Sequence, residues 1–140
     1  MIALRCCAIS VLVTLAGCAT THGSMMRSAT NLGSSAYVFV NDTDRSFAHS
    51  AELITQANHF IDTVDHAGDR EILSAYEPLW NAYQALRYEV ERSGSSRAQA
   101  SFKPVAAAFT HVALDIRGYA DADGSVYARG GFPHDPYYDP

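Results

Sequence analysis

Between residues 70 and 92, Ile72, Tyr76, Leu79, Trp80, Tyr83, Leu86 and Val90 recur at steps of three and four. Only an α-helix brings such a set to one side of the chain. A stripe this wide has to be buried, and helices of this kind bury it against one another. Pro78 lies inside the run; it removes one backbone bond and kinks the helix without ending it, because the stripe keeps its phase across it.

Three further segments repeat the pattern. Phe102, Val105, Phe109, Val112, Ile116 and Tyr119 predict a helix over about residues 97–121, started by a capping box of Ser96 and Gln99. A helix running to about His66 uses Phe47, Ala51, Ile54, Ala57, Ile61 and Val64 as its inner face, with Leu53 and Phe60 flanking. Thr43 or Asp44 in "NDTD" supplies its N-cap, and Gly68 its left-handed end. Met25, Ala29, Leu32, Ala36 and Phe39 predict a first helix over about residues 25–40. Asp69 caps the helix at 70–92, and "SGSS" turns the chain into the last one. The fold class is therefore all-α: an up-down bundle of three to four amphipathic helices spanning residues 25–122. Residues 123–140, rich in Gly, Pro and Tyr and ending in "FPHDPYYDP", read as an extended tail.

The N-terminus follows a different logic. Arg5 is the only charge ahead of an apolar run, Cys6 to Leu15, which is shorter than the roughly 20 residues needed to span a bilayer. This is the form of a secretory signal peptide. The run ends in Leu15-Ala16-Gly17-Cys18, which closely resembles the lipobox of bacterial lipoproteins. That resemblance covers about the first 20 residues. It implies that residues 1–17 are removed by a signal peptidase that recognises Leu15, Ala16 and Gly17. It also implies that Cys18 receives diacylglycerol and a further acyl chain such as palmitate. Two or three chains anchor stably where one does not. Ala19 stands where the family's sorting pattern would place an inner-membrane aspartate, so the expected address is the outer membrane, facing the periplasm. Residues 18–24 then form the lipidated cysteine and a short polar tether.

Cys6 and Cys7 would leave with the leader and Cys18 would be capped. The remaining 123 of 140 residues would then hold no free thiol and no disulfide, and the fold would rest on its core. The formal net charge is −5, with both signs scattered along the chain. Scattered charge argues against nucleic acid, which requires a basic footprint, and against electrostatic attachment to anionic lipid.

Chemistry leaves few traces. His59, Asp62 and His66 share one side of the second helix at metal-ligand types and spacing, which would suit zinc or copper. That side is opposite the apolar stripe and is equally a solvated face. No Gly-x-Ser-x-Gly, His-Glu-x-x-His or Cys-x-x-Cys-His occurs. No catalytic residue is assigned, and no cofactor is expected. The sequence thus points to a non-enzymatic protein-interaction or structural module of the cell envelope, of assembly, secretion-accessory or immunity type, whose partner is another envelope protein. The alternative is a periplasmic four-helix bundle binding a metal or cofactor.

Overall fold

The structure, a computed structural model, describes the backbone of residues 10–44 and 47–123 and the side chains of residues 22–44, 47–68 and 70–120. Four helices follow in order: α1 Ser10–Asp42, α2 Ser50–His66, α3 Asp69–Ser93 and α4 Ser96–Asp123. No strand occurs among the described residues. α1 packs on α2, α2 on α3, α3 on α4, and α4 closes the ring on α1. The links between helices are short, so each helix runs against the one before it.

The stripes in α1, α3 and α4 are buried as their spacing requires. Met25, Leu32, Phe39, Ile72, Leu79, Tyr83, Leu86, Val105, Phe109, Val112 and Ile116 are all fully enclosed. α3 continues through Pro78 and α4 through Pro104, both on exposed positions. The missing N–H of each proline therefore falls on the solvent side of its helix.

Several local expectations are corrected. α2 turns its face: Leu53, Ala57, Phe60 and Val64 are buried, while Ala51 is exposed and Ile54 and Ile61 lie at the edge. "NDTD" ends α1 and does not cap α2. The Thr43 hydroxyl donates to the Phe39 carbonyl at 2.7 Å, and Asp44 takes φ +52°, a conformation that Asp tolerates better than most residues. Gly68 is extended, not left-handed. It occupies the N-cap position of α3, and its carbonyl accepts from Glu71 and Ile72. Asp69 is already the first helical residue. Ser95, not Ser96, caps α4: its hydroxyl accepts from the Ala98 N–H at 3.2 Å. The left-handed position falls on Gly94, at φ +64°.

The stretch read as a tether is helical, because α1 begins at Ser10 and passes through residues 18–24. Polar side chains there find partners on α4. Ser24 and Ser28 each donate a hydroxyl to one oxygen of Asp115, at 2.9 and 2.6 Å. The His22 ring lies 5.7 Å from that of Tyr119. These bonds give small polar residues a reason to continue a helix that their propensities alone would not favour. The first nine residues, the Cys18 side chain and the tail from residue 124 lie outside the described residues.

Candidate functional site

The bundle has two ends. Residue 22, the α2–α3 turn and the C-terminal part of α4 lie at one; the α1–α2 connection and the α3–α4 turn meet at the other. At this second, distal end an open groove of about 700 Å³ is lined by Asp42, Asp44, Phe47, His49, Ala85, Tyr88, Glu89, Arg92, Arg97 and Ala98, among others.

One wall is the α1–α2 connection. Phe47 drives into the core, its ring 5.4 Å from Phe39, and its carbonyl accepts the Ser50 hydroxyl at 2.6 Å. α2 has no side-chain cap of its own. Its start is held instead by Glu89 of α3. One Glu89 oxygen accepts the Ala48 N–H at 2.9 Å and the other the His49 N–H at 3.1 Å. The second oxygen also lies 3.1 Å from His49 Nδ1. A carboxylate beside a helix N-terminus is favoured by the peptide dipoles as well as by the bonds. Burial works to raise the Glu89 pKa, but the Ala48 and His49 bonds outweigh it and hold the carboxyl below its usual range.

The opposite wall comes from the end of α3 and the start of α4. Arg92 lies over the Tyr88 ring, 5.4 Å from its centre, and donates to the Tyr88 hydroxyl at 3.3 Å. Tyr88 is 60% exposed, so this cation–π platform is presented to solvent. Asp42 is tied across to α4 by the Ser101 hydroxyl at 3.4 Å. The groove thus has a floor of Phe47, Ala85 and Ala98, an acidic side and a basic side. Its serines serve the turn: Ser93 donates to the Val90 carbonyl, and Ser95 caps α4. The His49 ring is engaged with Glu89. The arrangement suits binding; among the described residues that line it, no hydroxyl or thiol is placed next to a free base.

The residues singled out for metal are only partly brought together. His66 Nδ1 lies 3.3 Å from an Asp62 carboxylate oxygen and 3.1 Å from the Asp62 carbonyl. His59 lines a separate shallow groove with Thr63, Arg70, Glu71 and Pro78, a lining that includes neither Asp62 nor His66. Among the described residues, no three His, Cys, Asp or Glu side chains are placed to hold a metal ion together. The expected zinc or copper set of His59, Asp62 and His66 is therefore not assembled. Successive helical turns put the three on one side, but the short Asp62 and His66 pair with each other at the end of α2.

Among the described residues no helix is long and apolar enough to cross a membrane. No known protein family, curated protein or solved structure significantly matches the chain.

Sequence reasoning missed the groove because its central tie, Glu89 to residues 48 and 49, joins positions about 40 apart. Neither end carries a local signal of the pairing. Tyr88 and Arg92, four apart on α3, could have been noticed as an exposed aromatic–cation pair.

Proposed function

We propose that the protein is a lipid-anchored module on the periplasmic face of the bacterial outer membrane. It acts without catalysis, by docking another envelope protein. The observation that carries this reading is the run from Arg5 through the apolar leader to Leu15-Ala16-Gly17-Cys18. The bundle adds a consistent geometry. From residue 22 to residue 42, α1 rises about 30 Å, so an anchor at Cys18 and the groove beside Tyr88 lie at opposite ends of the molecule. A groove held away from the anchor is open to a partner from the periplasmic side.

Two measurements test the reading. Mass spectrometry of protein from its own cells should find a chain starting at Cys18 with diacylglycerol and acyl additions, and Cys18→Ser should accumulate the unprocessed form. An intact Met1 with an unmodified Cys18 ends the assignment. A photo-crosslinking residue at Tyr88 should capture one defined envelope protein in living cells, while the same residue at exposed Asn58 should not.

A further inference from the structure

The groove beside Tyr88 holds two cations that no described carboxylate answers. Arg92 lies over the Tyr88 ring and donates to its hydroxyl. Arg97, in the first turn of α4, is exposed. Among the described residues, neither guanidinium forms an ion pair. The carboxylates along the same groove are Asp42, Asp44 and Glu89. Glu89 is committed to Ala48 and His49, and Asp42 accepts the Ser101 hydroxyl.

A guanidinium carries several N–H donors in one planar fork, so Arg92 keeps donors to spare after its bond to Tyr88. Stacking on the ring holds the plane of that fork. A held fork is the form in which arginine takes a carboxylate through two parallel bonds. The groove therefore offers a seat for a carboxylate next to an exposed aromatic surface.

The chain carries a segment of matching chemistry. Residues 132–140 read Phe-Pro-His-Asp-Pro-Tyr-Tyr-Asp-Pro, with two tyrosines between two aspartates. Prolines at 133, 136 and 140 restrict the backbone toward extended forms, which lowers the entropy lost on binding.

Reach selects which part of the tail can arrive. From Ala98 at the floor of the groove to Asp123 at its own end, α4 rises about 38 Å. Asp139 follows Asp123 by sixteen residues, which span at most about 54 Å, and Tyr137 is reached within about 48 Å. Both exceed the rise of the helix. Arg129, only six residues on, spans about 20 Å and stays behind. The part that arrives is acidic and aromatic.

We propose that residues 135–139 fold back along the bundle and occupy this groove in their own molecule. Their aspartates sit on Arg92 and Arg97, and their tyrosine rings lie against Tyr88. A segment tied to the same chain is present at an effective concentration of about 1 mM, whatever the concentration of protein. The tail is then a built-in competitor that a partner has to displace, a consequence that rests on the docking reading above.

The test uses the full chain, purified from its own cells and kept dilute. Tyr88→p-benzoylphenylalanine should crosslink to a peptide from residues 130–140 in a product of monomer mass. The same residue at exposed Asn58 should not. Arg92→Glu with Arg97→Glu should lower the yield about tenfold, and so should Asp135→Arg with Asp139→Arg. Combining the two reversed pairs should restore it. A labelled peptide of residues 130–140 should bind the Asp135→Arg, Asp139→Arg chain about tenfold more tightly than the native chain, whose groove is already filled. Equal crosslinking from 58 and 88, a yield indifferent to the reversals, or failure of the combined variant to recover overturns the proposal. Crosslinks found only at twice the monomer mass also overturn it, because the segment would then belong to a second copy. Capture of an envelope protein from position 88 in living cells is a separate reading, so the docking function and the tail seat can fail independently.

Discussion

Near the α1–α2 connection rings pack directly on rings, whereas toward the α2–α3 turn the rings of Phe60, Tyr76 and Tyr119 are mixed with aliphatic and small side chains. In the first, Tyr83 stacks on Phe109 with centres 4.0 Å apart and planes 6° from parallel, and on Phe102 at 5.7 Å. Phe102 also meets Phe39 edge-on at 5.8 Å. In the second, Met25, Ala29, Val64, Ile72, Ile116 and Ala120 share the core with those rings. Rings have large buried areas and few rotamers, so they set a rigid end from which a groove can be cut. Alanines let α1 and α4 come close, and there the fastening is done by short polar side chains, Ser24 and Ser28 on Asp115. One end is stiffened by shape, the other clasped by hydrogen bonds.

Five variants would break or sharpen this contrast. Phe109→Ala removes the ring on which Tyr76, Trp80 and Tyr83 all pack; urea unfolding should show a loss of about 3–5 kcal/mol. Ile116→Val, in the mixed half, should cost only about 0.5–1.5 kcal/mol. Comparable losses from the two would mean that the ring stack has no special weight.

Asp115→Ala should cost about 1–3 kcal/mol. Amide exchange should rise selectively in residues 22–30 while the groove end stays protected. Uniform exchange along α1 would contradict a local clasp.

Glu89→Gln keeps an acceptor but loses the charge and should cost about 1–2 kcal/mol near neutral pH. Because the folded carboxyl titrates below its usual range, its contribution is present above the unfolded value of about 4.3 and fades as pH falls through the folded one. The stability gap between the native chain and Glu89→Gln should therefore close in acid. A gap independent of pH would assign the tie to packing instead.

His59→Ala with His66→Ala should change stability by less than about 0.5 kcal/mol, as expected for exposed positions. Added zinc should not alter the melting of either form; a zinc-dependent shift lost in the double variant would restore the metal reading.

The bundle was legible wherever one apolar stripe had no competitor. In α1, α3 and α4 burial follows the stripe, except that Trp80 is only partly buried at the edge of the core. α2 offers two overlapping phases, because Leu53 and Ile54, and again Phe60 and Ile61, are adjacent apolar residues. Counting from Phe47 selects the wrong phase, since Phe47 precedes the helix and reaches the core from the connection. The helix starts were misread by one position at Ser95 and Gly68 because neighbouring residues offer equivalent caps. The pairing of Ser24 and Ser28 with Asp115 joins positions some ninety residues apart, and no local propensity announces it.

The ring is closed by the first helix against the last. α2 and α3 can pair as soon as both have emerged, but α1 gains half of its neighbours only once α4 is complete. During vectorial synthesis the α4-facing side of α1 thus stays uncovered until the last helix emerges; under the lipid-anchor reading proposed above, that is the interval in which Cys18 would be modified. A chain truncated before Asp115 would leave Ser24 and Ser28 without their acceptor and that side of α1 open to solvent.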